Sequence, residues 1–193
     1  MGFYEFARGV VKVGLSPMYR IEIIGQENIP KTGGVLICSN HINNFDPLVV
    51  GTTTPRPIHF MAKEELFKVP ILGKIVSNVK AFPVKRGMSD REALRKGLSV
   101  LKEGEVLGLF PEGTRSKDGM LGKGLAGAGF FALRTKAEVV PCAVVGPYKV
   151  FGKLTVVYGK PIEMTSLREQ KASAEVVTEV IMDSIKQLLE EYR

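Results

Sequence analysis

The 193 residues include 2 histidines, 2 cysteines and no tryptophan. Imidazole general-base chemistry therefore has only two seats, His41 and His59. Cys38 and Cys142 each sit inside an apolar, strand-like run. Two such thiols make no disulfide framework, neither has metal-ligand company nearby, and free buried thiols suit a reducing compartment. No stretch of about eighteen consecutive apolar residues occurs, so no transmembrane helix is expected. The N-terminus lacks a cationic region followed by an apolar stretch, so no signal peptide is expected. Met1-Gly2 is followed by Phe6 where a myristoylation signal requires Ser or Thr. The chain reads as cytosolic in origin. Zinc-finger spacing and RNP-like aromatic motifs are missing and the basic residues are scattered, so no nucleic-acid partner is expected. Internal repeats, low-complexity tracts and linkers are also absent, which leaves one domain over residues 1–193.

Hydrophobic residues make up 45% of the chain, too many for a disordered protein of net charge +7. The positive excess suggests an anionic partner: a phosphate-bearing substrate, an anionic membrane or an acidic protein. At the N-terminus Phe3, Phe6, Ala7 and Val10 recur at helical spacing, and Tyr4, Val11 and Leu15 widen that stripe. Glu5, Arg8 and Lys12 share the other face, and Pro17 ends the segment. A helix of this kind over residues 1–18 either packs on the domain or lies in a membrane interface, apolar face down. The apolar run Leu66–Val76, interrupted by two lysines and a proline, is open to the same two readings: core packing, or a surface facing membrane or acyl chain.

Beyond residue 18 strands and helices alternate. Strands are expected at 21–24, 35–38, 58–61, 79–84, 106–110, 139–145 and 154–158. Pro141 marks the 139–145 strand as an edge or a bulge. Helices are expected from Pro47 to about Gly51, over 62–67, from a Ser89–Glu92 capping box to Gly104, from about Lys123 to Lys136, and over about 167–191. This alternation predicts an α/β fold, a mostly parallel or mixed central sheet sandwiched by helices.

Three of the predicted strand ends carry polar loops. The first is Ser39-Asn40-His41-Ile42-Asn43-Asn44-Phe45-Asp46-Pro47, with Asp46 expected as N-cap and Pro47 at the first helical position. A hydrogen bond from His41 to Asp46 would fix the imidazole tautomer and leave the other nitrogen free as a base. The second is Lys85-Arg86-Gly87, and the third Glu112-Gly113-Thr114-Arg115. In open α/β sheets ligands collect beside the carboxyl ends of strands. Together the loops supply a base, its orienting carboxylate, three cations and a second carboxylate. Arg86 and Arg115 offer planar forks to phosphate oxygens and Lys85 a point charge, while Gly87 and Gly113 admit close backbone approach.

Asn40-His41 through Asp46-Pro47, Phe82-Pro83-Val84-Lys85-Arg86-Gly87, Phe110-Pro111-Glu112-Gly113-Thr114-Arg115-Ser116 and Val139-Val140-Pro141-Cys142 occur in that order. In this order they resemble the sequence blocks of the glycerolipid acyltransferases, of the bacterial 1-acyl-sn-glycerol-3-phosphate acyltransferase type. The resemblance covers roughly residues 35–145, the motif-bearing core. H-x4-D is unspecific by itself, whereas F-P-E-G-T-R-S downstream of it is highly specific. One departure is Asn43, where many members carry Ser.

The resemblance implies transfer of a fatty acyl group from acyl carrier protein or coenzyme A thioester to the 2-hydroxyl of lysophosphatidic acid, giving phosphatidic acid. His41 would be the base and Asp46 its orienting partner. Lys85, Arg86 and Arg115 would hold the acceptor phosphate, and Glu112 would position Arg115 or the glycerol. Gly87, Gly113 and Thr114 belong to the same substrate-binding set, and backbone amides near 85–87 are expected to stabilise the oxyanion. No cofactor and no metal are implied, and the setting would be the cytoplasmic face of the cell membrane, as a peripheral protein. Three alternatives stand beside this: another acceptor (glycerol 3-phosphate or a different lysophospholipid), an acyl-enzyme on Cys38 or Ser39, and a non-catalytic module that binds anionic lipid.

Overall fold

The computed structural model describes residues 2–85 and 90–193. Arg86, Gly87 and Ser89, all named above, lie outside the described residues.

The chain begins with helix α1 (Phe3–Leu15) and strand β1 (Tyr19–Ile24), followed by β2 (Val35–Ser39), α2 (Asp46–Thr53), β3 (Ile58–Lys63), α3 (Glu64–Lys68) and α4 (Leu72–Asn78). Then come β4 (Phe82–Val84), α5 (Arg91–Lys102), β5 (Val106–Leu109), α6 (Gly127–Arg134), β6 (Glu138–Val145), β7 (Gly152–Tyr158), α7 (Thr165–Glu169) and α8 (Ala174–Tyr192). The strands form one seven-stranded sheet in the order β1-β7-β6-β2-β5-β3-β4. From β6 to β4 all neighbours are parallel; β7 runs antiparallel to β6 and carries β1 parallel to itself. The expected mostly parallel α/β sandwich is thus the observed one.

Both faces of the sheet are covered, which is why its central strands read as continuous apolar runs rather than alternating ones. On one face Leu36, Cys38, Leu107, Val139 and Ala143 meet Val100 and Leu101 of α5, Phe131 and Ala132 of α6, and Val177, Ile181 and Ile185 of α8. The intervening residues, Val35, Ile37, Val106, Val140, Cys142 and Val144, point the other way onto Val49 and Val50 of α2 and Leu15 of α1. Successive strand side chains serve opposite layers, as the pleat requires.

Several expectations need correction. The strand ahead of Lys85 starts at Phe82, because Val79 still closes α4 by donating to the Ile75 carbonyl. Asp90 caps α5, its carboxylate accepting from the amides of Glu92 and Ala93, while Ser89, the expected cap, lies outside the described residues. The helix expected from Lys123 begins only at Gly127, since residues 122–125 are drawn into the site loop described below. The C-terminal helix is two helices, broken where Lys171 takes φ 51° and Ser173 caps α8.

Pro141 does not mark an edge, as β6 lies between β2 and β7. The paired register with β7 ends at Cys142 and Tyr158, and beyond it Pro141 only accepts from the Gly159 amide, so the donor that proline lacks is not required by the ladder.

The N-terminal helix divides its wide apolar stripe. Leu15 is buried, Tyr4 and Val11 are half-buried, and the Tyr4 hydroxyl accepts from the Ile58 amide. Phe3, Phe6, Val10 and Val13, on the other side, stay exposed at 48%, 62%, 57% and 74%. Arg8 and Glu5 are not on a free polar face but half-buried and 3.6 Å apart. Val69 and Ile71 in the α3–α4 turn, and Leu72 and Ile75 of α4, are exposed as well. Among the described residues no helix is long and apolar enough to cross a membrane.

Candidate active site

The chain leaves the middle of the sheet at β2, with β3, β4 and β5 on one side and β6 on the other. A cleft opens where connections diverge in this way, at the carboxyl ends of the strands. His41 sits there, two residues past the end of β2, and only 8% of it is exposed. Asn40 anchors its loop: the side-chain oxygen accepts from the Val144 amide at 2.7 Å, and the side-chain nitrogen donates to the Val144 carbonyl at 3.0 Å. The side chain thereby extends the β2–β6 pairing by one rung, leaving His41 as the first residue free of the sheet.

His41 Nδ1–H donates to Asp46 Oδ2 at 2.7 Å. That oxygen also accepts from the backbone amides of Ile42 and Asn43, each at 2.7 Å. Asp46 is therefore not the N-cap of α2. Phe45 occupies that position without a side-chain cap bond, and Asp46 is the first helical residue, its carboxylate turned back toward the loop. The helix start loses a cap and the imidazole gains a fully buried partner, with Asp46 at 0% exposure. Asn43, where the family motif often has Ser, accepts from the Phe45 amide at 3.1 Å and closes a local turn. The imidazole stacks on Phe110, centroids 4.2 Å apart and planes 23° apart, and Phe110 in turn stacks on Phe60 at 5.8 Å. Held through Nδ1 and one ring face, His41 lines a cavity of about 420 Å3, and Nε2 is its ring nitrogen not engaged by Asp46.

This cavity enters the layer between the sheet and the helices α5 and α6. Its deep wall is apolar, with Met61, Leu94, Ala128 and Phe131, and Lys85 stands at its polar side together with Asp90. The Lys85 side chain is exposed. Its amide donates to Asp90 Oδ2 at 2.9 Å. That amide is therefore spent and is not an oxyanion donor; the other two positions of that expectation, 86 and 87, lie outside the described residues. The bonds Asp90 accepts from the Ala93, Lys85 and Glu92 amides hold its carboxyl below the usual aspartate range.

The third loop is laced onto the first. The Ser116 amide donates to the His41 carbonyl at 2.8 Å, and the His41 amide donates to Glu112 Oε1 at 2.9 Å. Glu112 Oε2 accepts from the Gly122 amide at 2.8 Å. Both Glu112 oxygens, in a residue only 8% exposed, are thus engaged by backbone amides. In this structure Glu112 clamps the His41 backbone, and among the described residues no bond joins it to Arg115. Gly113 is the turn residue of the motif. It has φ +69°, its amide donates to the Phe110 carbonyl, and a Cβ there would lie 2.4 Å from Leu125 Cδ1. Thr114 and Arg115 are exposed beside it. The fold therefore joins the His41 and Glu112 loops directly, sets Lys85 on the same cavity, and leaves the Arg115 side chain reaching outward.

Cys38 and Ser39, the alternative nucleophiles, are 0% and 2% exposed. Burial raises the Cys38 thiol well above its ordinary value, and burial likewise pushes Cys142 up to about 12. Among the described residues no group of three or more His, Cys, Asp or Glu could hold a metal ion.

Sequence reasoning also missed Tyr148. It follows β6, whose carboxyl end lies on the same sheet edge as that of β2, and its hydroxyl donates to Asp46 Oδ1 at 2.6 Å. The only signal was a hydroxyl-bearing aromatic in a Gly146-Pro147-Tyr148 turn leaving a strand parallel to the His41 strand.

The family model described as Acyltransferase matches residues 20–145. The chain is 32% identical over 193 residues to the 1-acyl-sn-glycerol-3-phosphate acyltransferase of Bacillus subtilis (strain 168), covering 96% of each. It is 31% identical over 173 residues to the chloroplastic 1-acyl-sn-glycerol-3-phosphate acyltransferase LPAT1 of Arabidopsis thaliana, spanning 83% of this chain and 49% of that one. In fold it is similar to the crystal structure of PlsC, the 1-acyl-sn-glycerophosphate acyltransferase from Thermotoga maritima. The TM-score is 0.80 at 22% identity, over 98% of this chain and 80% of that one.

Proposed function

This chain belongs to the Acyltransferase family and is an O-acyltransferase, and from that membership and the site geometry we propose that its acceptor is 1-acyl-sn-glycerol 3-phosphate. The product would be phosphatidic acid, in phospholipid biosynthesis, with the acyl group drawn from an acyl carrier protein or coenzyme A thioester. The observation that carries the mechanism is the 2.7 Å contact between His41 Nδ1 and Asp46 Oδ2 in a histidine that lines the cavity, which leaves Nε2 as the ring nitrogen to act as base.

His41 Nε2 takes the proton of the acceptor's 2-hydroxyl as that oxygen attacks the thioester carbonyl. The tetrahedral intermediate then expels the thiolate, which recovers the proton from the imidazolium. Asp46 keeps Nδ1 protonated and stabilises the transient positive charge. Base assistance of this kind contributes about 10²–10⁴ in rate. The apolar wall of the cavity suits an acyl chain, and Lys85 at its polar side and the outward-reaching Arg115 suit the acceptor phosphate, with Arg86 as the third cation of the set. Direct transfer without an acyl-enzyme is favoured by the burial of Cys38 and Ser39. The exposed apolar residues of α1 and of the α3–α4 turn, on a chain of net charge +7, support peripheral attachment to an anionic membrane at its cytoplasmic face.

The test is acyl transfer from a labelled thioester to lysophosphatidic acid on detergent micelles, wild type beside His41→Ala. Phosphatidic acid from the wild type, reduced at least a hundredfold in the variant, is the expected result. Equal activity of the two proteins would refute His41 as the base. No product from the wild type with either donor would refute the acceptor.

A further inference from the structure

We propose that Tyr148 is a positioning residue of the catalytic centre: its hydroxyl locks the Asp46 carboxylate and so selects the His41 tautomer that can act as a base. The inference rests on the base role of His41 argued above, and it adds a residue beyond position 145, where the match to the family model ends.

The two Asp46 oxygens have separate duties. Oδ2 accepts from His41 Nδ1 and from the amides of Ile42 and Asn43, so its bonds all come from one short loop. Those three bonds pin a single atom and leave the carboxylate plane free to swing about it. Oδ1 is held by Tyr148 alone among the described residues, at 2.6 Å and across 102 positions of sequence. The hydroxyl therefore supplies the second point that fixes the plane. The phenol is itself held: its ring stands edge-on to Tyr19, centroids 5.3 Å apart at 86°, and lies 6.5 Å from the Phe45 ring. Burial and the neighbouring Asp46 carboxylate raise the pKa of Tyr148 above the ordinary phenol value, so it stays protonated and donates to Oδ1.

A carboxylate held at both oxygens keeps its Oδ2 lone pair aimed at Nδ1, and the imidazole proton remains there. With Oδ1 released, the carboxylate rotates or takes water, the Nδ1–H bond loses alignment, and imidazole carrying its proton on Nε2 becomes populated. That tautomer has no lone pair to offer the acceptor hydroxyl. Tyr148 touches no reacting atom in this scheme and works only through Asp46.

The experiment compares wild type with Tyr148→Phe, which keeps the ring against Tyr19 and Phe45 and removes only the hydroxyl. Two readouts are taken: steady-state kinetics with lysophosphatidic acid and a thioester donor, and the ring-nitrogen 15N shifts of the ligand-free protein. With only 2 histidines in the chain, the His41 signals are assigned by their loss in His41→Ala. The expected result is kcat lowered about tenfold with KM for both substrates unchanged, the size of one well-placed hydrogen bond. The His41 Nε2 signal should move toward the protonated-nitrogen position. Unchanged kcat, or lowered kcat with the His41 ring nitrogens unmoved, overturns the proposal. If Tyr148→Phe does not fold, 3,5-difluorotyrosine at 148, a stronger donor of nearly the same shape, replaces it; His41 15N shifts that fail to respond to it overturn the proposal equally. The 15N readout needs no turnover, so a wrong acceptor, seen as an inactive wild type, is distinguished from a wrong role for Tyr148.

Discussion

Glu112→Gln separates a residue that binds substrate from one that holds the base. In the structure Glu112 Oε1 accepts from the His41 amide at 2.9 Å and Oε2 from the Gly122 amide at 2.8 Å. Glutamine has one oxygen, so in either orientation its NH2 group faces one of these donors. A buried charge-assisted hydrogen bond is lost and one backbone N–H is left without an acceptor, together about 2–3 kcal/mol. For a chain of this length such a loss lowers Tm by about 4–12 °C. The stranded amide belongs to His41 or to the loop packed against it, so the imidazole shifts relative to the cavity. Misplacement by a fraction of an ångström to one ångström reduces kcat by about tenfold to a hundredfold. KM for lysophosphatidic acid stays within about twofold of wild type, because both oxygens of this nearly buried carboxylate are turned to backbone amides. Initial rates over a range of acceptor concentrations, with a thermal melt of the same samples, test this. A manyfold rise in KM at unchanged kcat and unchanged Tm would show that Glu112 grips the acceptor, and would refute the clamp.

Two further perturbations follow from the same structure. At Gly97→Ala the new Cβ would stand 2.6 Å from Phe131 Cε1 and 3.1 Å from the Met61 methyl, and both of those side chains line the cavity. Displacing them into the cavity should shift preference toward shorter acyl thioesters by about tenfold, read as relative kcat/KM over a chain-length series; an unchanged profile would mean that the chain lies elsewhere. His59 sits in β3 with Nε2 buried, 3.4 Å from Glu105 Oε2 and without hydrogen-bond geometry; burial first, then Lys80 and more weakly Lys96, lowers its pKa against the opposing pull of Glu105. As pH falls through the ordinary imidazole value of 6.5 the unfolded chain takes up a proton that the folded chain refuses, so this contribution to stability is present above that value and is lost below it. The drop in denaturation midpoint between pH 7.5 and pH 5 should therefore be smaller in His59→Gln than in wild type, and equal drops would refute the assignment.

The α/β class was legible because the chain alternates apolar runs of strand length with amphipathic helical stretches, and each signal is local. Burial of both sheet faces follows from the unbroken apolar runs Val35–Cys38 and Val139–Val145. The His41, Glu112 and Lys85 loops were legible too, since polar residues that leave apolar strands stand out against their surroundings. Where local signals competed with tertiary demands they gave the wrong answer. Asp46 has the residue type and position of a helix cap, yet its carboxylate serves the imidazole because three donors converge on it from upstream. Pro141 reads as an edge residue, yet it lies in an interior strand because the β7 register stops just before it.

The identity of the loops, the pairing of His41 with Asp46 and the two-layer cover of the sheet were thus determined by the sequence, because each depends on residues close in the chain or on a repeating pattern. What each polar atom does was decided only by the tertiary structure. Glu112 turned out to hold a backbone 71 positions away, and Tyr148 to hold a carboxylate 102 positions away. Strand order alone brings those atoms together, and a linear pattern carries no record of strand order.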